Sequence, residues 1–214
     1  MGNSEEILKR LGKKYADRAT ALEFENPYEL LVATILAAQC TDKRVNMVTP
    51  ALFAKYPDAA HLSRGTLPEV EALIKTCGLY QSKAKNLLAC ANRLADVYGG
   101  QVPTKMEDLV TLAGVGRKTA SVVLAFAFGI PAMPVDTHVG RVANRMGLAN
   151  SPNPVKIEQQ LCALIPREQW GDAHHWMIWH GREVCHSQNP ACGACPVQDL
   201  CPSAFRILEK KNKQ

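Results

Sequence analysis

Four of the eight cysteines fall in one short segment, Cys185-x6-Cys192-x2-Cys195-x5-Cys201. Thiolates at such spacing suit zinc or an iron–sulfur cluster. Structural zinc sites usually pair two short Cys-x-x-Cys knuckles. Here there is one such pair, and all four ligands lie within 17 residues. The spacing therefore favours a compact loop wrapped around a [4Fe–4S] cluster, with zinc as the alternative. Cys40, Cys77, Cys90 and Cys162 are scattered and read as small buried hydrophobes.

A second segment with chemistry is Leu112-Ala113-Gly114-Val115-Gly116-Arg117-Lys118-Thr119-Ala120. Two glycines bracket one apolar residue and a helix follows, so the backbone can approach a ligand closely. The helix start adds N–H groups and the positive end of a dipole, which together suit a phosphate. A tight helix–helix turn is the plainer reading. The turn follows a helical segment and not a strand, which excludes the dinucleotide fingerprint, and it lacks the P-loop spacing. A helix-hairpin-helix gripping a DNA backbone remains. Lys118 falls in the first turn of the second helix, where the dipole disfavours a cation and favours a neutral, nucleophilic amine. Downstream, Val135-Asp136-Thr137-His138 places Asp136 as a helix N-cap that can also serve as a catalytic carboxylate.

The elements that carry these residues are helical. Ser4 is placed to cap a first helix with Ile7, Leu8, Leu11 and Tyr15 on one side. Asn26-Pro27 opens a helix, Tyr28 to about Gln39, that is apolar almost all round and belongs at the centre of a bundle. The periodicity gives further helices at Lys43–Lys55, Leu67–Lys75, Ser82–Tyr98, Met106–Leu112, Arg117–Phe128, Thr137–Met146, Pro154–Leu164 and Asp172–Val184, separated by Gly or Pro. No segment alternates as a strand does, so the expected fold is all-α. Gly129–Pro134 is a candidate boundary between two lobes, and Lys210–Lys213 reads as a frayed tail.

Composition sets the frame for these sites. The 214 residues are 47% hydrophobic and 21% charged, as in a globular protein with a real core. A net charge of +5 fits a polyanionic partner but fits a mildly basic enzyme equally well. The N-terminus lacks an apolar signal region, and the apolar run Ala120 to Val135 is too short and broken to span a membrane. The expected location is the cytoplasm, associated with the nucleoid, which makes a disulfide framework of the eight cysteines an unfavoured reading.

Taken together, Leu36-Ala37-Ala38-Gln39-Cys40-Thr41-Asp42, Gly78-Leu79-Tyr80, the Gly114–Ala120 hairpin, Val135-Asp136-Thr137-His138, His174-His175-Trp176, His180-Gly181-Arg182 and the four cysteines resemble the endonuclease III branch of the helix-hairpin-helix DNA glycosylases. The resemblance implies two lobes with a DNA cleft between them. One, residues 20–130, is a six-helix barrel with the hairpin. The other joins residues 1–19 to 131–214 and holds a [4Fe–4S] cluster on Cys185, Cys192, Cys195 and Cys201. It implies Lys118 as Schiff-base nucleophile, Asp136 as its partner carboxylate, and Gln39 and Leu79 as fillers of the gap left by an extruded nucleotide. Gly114, Val115, Gly116, Thr119 and His138 complete the implied DNA contacts. The implied activity is a bifunctional glycosylase and abasic-site lyase acting, as a monomer, on damaged pyrimidines in double-stranded DNA.

Two rivals stay in view: a mismatch glycosylase for adenine or thymine, and a non-catalytic DNA-binding protein with a redox-sensing cluster. Lys118 argues against the adenine enzyme, and Lys118 with Asp136 against a passive binder. The chain also departs from the family pattern twice. Ala113 stands where proline is usual, and the loop His186–Ala191 has no Lys or Arg for phosphate contact, a loss that Lys9, Arg10, Lys13 and Lys14 are placed to offset.

Overall fold

The computed structural model describes residues 2–211, and among these no β-strand occurs. The chain forms two compact units, one continuous (Thr20–Ile130) and one split (Met1–Ala19 with Pro131–Gln214).

Helix α1 (Asn3–Lys14) belongs to the split unit. It starts one residue before Ser4, because the Gly2 carbonyl already accepts from the Glu5 and Glu6 amides, so Gly2 and not Ser4 is the N-cap. Glu5 and Glu6 in its first turn and Lys13 and Lys14 in its last complement the helix dipole.

The continuous unit holds seven helical segments among the described residues. Helix α2 (Pro27–Leu36) is capped by Asn26, whose side chain accepts from the Glu29 amide at 3.0 Å. Leu30 to Leu36 are all buried, as the apolar sequence requires. The helix stops short of Gln39 because Gln39 takes a positive φ of 53°. Helix α3 (Asp42–Lys55) is capped by Thr41. The five-residue α4 (Ala59–Ser63), capped by Asp58, is too short to show a helical period and is absent from the sequence reading. Helix α5 (Leu67–Ile74) follows, and Glu69 accepts from the Thr66 amide at 3.1 Å. Then come α6 (Tyr80–Tyr98), the one-turn α7 (Met106–Leu109) and α8 (Arg117–Ala127). Helix α7 ends before the expected Leu112 because the Thr111 hydroxyl and the Leu112 amide turn back onto the Asp108 and Leu109 carbonyls. The central α2 packs on α3, α6 and α8.

The split unit is completed by α9 (Thr137–Met146), α10 (Pro154–Leu164), α11 (Trp170–Glu183) and α12 (Pro202–Lys211). Ile7, Leu8, Leu11 and Tyr15 of the N-terminal segment share one buried cluster with Val139, Val142 and Met146 of α9 and Met177 of α11. Helix α12 occupies part of the expected tail, and Asn212 and Lys213 lie outside the described residues. No helix is long and apolar enough to cross a membrane, among the described residues.

Candidate nucleic-acid interface and metal centre

The turn between α7 and α8 uses its two glycines differently. Gly114 has φ +78°, and a Cβ there would stand 3.2 Å from both Asn86 Cβ and Ile35 Cγ2. The fold itself therefore demands glycine. Gly116 has φ −91°, which any residue can adopt, and an added Cβ would meet nothing within 4 Å. Folding places no demand for glycine there; what it provides is an open surface at the N-terminus of α8. Gly116 is the N-cap of α8 and has no side chain to bond the first amides, so that end is shaped to accept an outside anion. Val115 is buried beneath the turn. Arg93 of α6 donates to Thr111 at 2.9 Å, and Tyr98 donates to Asp108 at 3.3 Å, so α6 fixes the hairpin in place. Lys118 and Thr119 are half-buried in the first turn of α8.

Two further turns of the continuous unit carry Gln39 and Leu79. Both residues have left-handed backbones, at φ 53° and 58°. A non-glycine residue is uncommon in that region and costs on the order of 1 kcal/mol. The turns abut, since a Cβ on Gly78 would stand 3.2 Å from the Gln39 carbonyl oxygen. Leu79 is 59% exposed, heads α6 and caps it with no side-chain bond. A strained, exposed leucine at a helix start contributes little to folding.

In the split unit, Asp136 is the N-cap of α9 and accepts from the Val139 amide at 2.8 Å. It is half-buried, as is His138, whose Nδ1 lies 3.1 Å from Arg141 Nη2. Thr137, His138, Arg141, Arg182, His186 and Ser187 line one open, basic cavity. Arg182 thus brings a cation beside the loop that lacks Lys and Arg. Arg10 does not supply it: its guanidinium is committed to Glu6 (2.8 Å), Asp199 (2.7 Å) and the Pro196 carbonyl (3.2 Å).

Cys185, Cys192, Cys195 and Cys201 line a single cavity among α9, α11 and α12. Burial pushes the Cys195 thiol up, and the other three cysteines add to the shift. Four mutually repelling thiolates fit a cationic group at their centre. Four cysteines around one cavity fit an iron–sulfur cluster by the chemistry of their donor set.

The surroundings of this cavity were not legible in the sequence. His180 is fully buried between Tyr15 Oη (3.2 Å from Nδ1) and Cys195 Sγ (3.6 Å from Nε2). Burial pushes this imidazole down to about 4. With Tyr15 donating to Nδ1, the neutral ring keeps a proton on Nε2 for the sulfur. Arg145 donates to Cys185 Sγ (3.5 Å) and to the His186 (2.6 Å) and Ser187 (2.9 Å) carbonyls. Arg141 donates to the Cys185 carbonyl at 3.0 Å. The one usable signal was the four-residue spacing of Arg141 and Arg145, which puts both on one face of α9. The scattered cysteines also differ from expectation: Cys77 and Cys90 are buried, but Cys40 and Cys162 are only half-buried.

Residues 32–167 match the HhH-GPD superfamily base excision DNA repair protein family. The chain belongs to the HhH-GPD superfamily. Residues 185–201, which begin and end on the outer cysteines, match the iron-sulfur binding domain of endonuclease III. Endonuclease III of Synechocystis sp. is 50% identical over 93% of this chain and 91% of its own. A solved non-covalent endonuclease III–DNA complex superposes with TM-score 0.92 at 41% identity, covering 98% of this chain and 100% of that one. A trapped endonuclease III–DNA covalent intermediate superposes with TM-score 0.92 at 40% identity, covering 97% and 99%. This HhH-GPD protein is an enzyme of base excision DNA repair, a DNA glycosylase and abasic-site lyase of the endonuclease III kind, and carries a [4Fe–4S] cluster. It acts on DNA.

Proposed function

We propose that the enzyme removes oxidised or otherwise damaged pyrimidines from duplex DNA and cuts the abasic strand by β-elimination through a Schiff base on Lys118. The observation that carries this reading is the position of Lys118, in the first turn of α8 and two residues after Gly116, the glycine that folding does not require. An amine there stands beside the segment best suited to hold a phosphate. The relative trapped as a covalent DNA intermediate supports it.

The steps follow from the chemistry of each residue. The damaged nucleotide leaves the stack, at a cost of a few kcal/mol that is least for a damaged pair. Leu79, with Gln39 beside it, fills the gap as an apolar wedge. The Lys118 amine attacks C1′ and displaces the base. The iminium acidifies the C2′ proton, and its loss breaks the bond on the 3′ side of the sugar. Asp136 takes the proton from the lysine and stabilises positive charge at C1′. Gly114, Val115, Gly116 and Thr119 grip phosphate, and His138 contacts DNA from the start of α9. Cys185, Cys192, Cys195 and Cys201 hold the [4Fe–4S] cluster, which takes no part in bond breaking; it orders the loop that carries His186. The enzyme works as a monomer in the cytoplasm, at the nucleoid.

Borohydride trapping on a duplex with an abasic site tests the reading. A covalent adduct is expected from the native enzyme. Absence of an adduct, with the protein folded and bound to the same DNA, would refute it.

A further inference from the structure

The continuous unit holds one more group of reactive side chains, away from the hairpin. Cys40 directly follows Gln39, and Cys77 directly precedes Gly78 and Leu79. Each cysteine therefore sits at the base of one of the two left-handed turns, and those turns abut. The two thiols lie close enough to act on each other. Both are free, Cys40 half-buried and Cys77 buried. Beside Cys77 lies Lys83, only 4% exposed, whose Nζ is buried without a hydrogen-bond partner. Lys83 is close enough to favour the Cys77 thiolate, with Arg44 adding to the effect. An ammonium buried with no acceptor is costly unless an anion can form next to it. The thiol beside it can become that anion.

We propose that Cys40 and Cys77 are a peroxide-sensitive thiol–disulfide pair that closes across the two turns and locks Gln39 and Leu79 together. Cys40, the half-buried member of the pair, attacks a peroxide oxygen as its thiolate. The O–O bond breaks, the departing hydroxide takes a proton and leaves as water, and Cys40 becomes a sulfenic acid. The Cys77 thiolate then attacks the Cys40 sulfur. The S–O bond breaks, and the hydroxide leaves as a second water with the proton Cys77 gave up. Two thiols are oxidised and one peroxide is reduced to two waters. Burial and then Cys40 push the Cys77 thiol up to about 11. Lys83 lowers the cost of the second attack. The effect on repair rests on the extrusion role proposed for Gln39 and Leu79.

The test uses the holoenzyme. It is treated with hydrogen peroxide at a dose that leaves the cluster absorption at about 400 nm unchanged, then alkylated and digested. The expected product is a peptide pair joined through Cys40 and Cys77, two hydrogens lighter than its reduced parts. Dithiothreitol should separate it, and Cys77→Ser should never form it. Nicking of a lesion-containing duplex should fall as the link forms and recover on reduction. In the native enzyme, full alkylation of both thiols, or Cys40 sulfinic acid with no linked peptide, would overturn the pair. A linked peptide with unchanged nicking keeps the pair and removes Gln39 and Leu79 from extrusion, so the two readings fail separately.

Discussion

Lys118 and Asp136 separate sharply under substitution. A Schiff base requires a primary amine, so Lys118→Gln should abolish borohydride trapping and strand cleavage. Binding to abasic DNA should largely survive, because the amides of the hairpin stay in place. Asp136→Asn keeps a side-chain oxygen for the Val139 amide, so α9 should keep its cap and the melting temperature should barely move. Turnover should nevertheless fall by roughly 10²-fold or more. Near-normal turnover would reduce Asp136 to a cap. Leu79 offers a third single-residue test. Leu79→Ala should impair excision of a damaged base more than cleavage of a ready-made abasic site, where extrusion is easier. Equal losses on both substrates would point to packing, which an exposure of 59% argues against. These residues were legible as types at telling spacings. Their backbone strain was not, because a left-handed Gln39 or Leu79 leaves no mark in composition or period.

At the scale of elements, the hairpin glycines make opposite predictions. Gly114→Ala adds a Cβ at φ +78° against Asn86 and Ile35, and should destabilise the protein by about 1–3 kcal/mol in denaturant unfolding. Gly116→Ala adds a methyl to open space at an ordinary φ, so stability should hold while affinity for abasic DNA falls. If affinity stays constant, α8 does not receive a phosphate. Helix α11 carries a pH dependence. Burial pushes His175 from 6.5 down to about 4, with Asp172 opposing in part. The unfolded chain therefore binds the extra proton between these values, so His175 contributes full stability above pH 6.5 and loses it as pH falls toward 4. The loss is about 3 kcal/mol. In His175→Gln the slope of unfolding free energy against pH should flatten across that window. Most helices were readable because apolar residues recur at helical spacing and Gly, Pro, Asn and Asp punctuate them. Helix α4 was invisible at five residues. The contacts of Arg145, His180 and Tyr15 around the cysteine cavity were invisible for another reason: each is made with a residue far along the chain.

At the scale of the molecule, the split unit should depend on its cluster and the continuous unit should not. Removing the iron leaves four thiols, one buried and three half-buried, with nothing to hold. Residues 185–211 should become the first protease-sensitive region, and Thr20–Ile130 should persist as a fragment. Cleavage appearing first within Thr20–Ile130 would contradict this division. Anaerobically purified protein with zinc in place of iron would refute the cluster itself. The route of the chain has a further consequence, for biosynthesis. Helix α1 leaves the ribosome before the continuous unit, yet its apolar face shares a core with α9 and α11, which emerge only after that unit. Domains generally fold as they are made. The nascent chain must therefore carry Ile7, Leu8 and Leu11 uncovered while Thr20–Ile130 folds, which makes helix α1 a ready target for a chaperone.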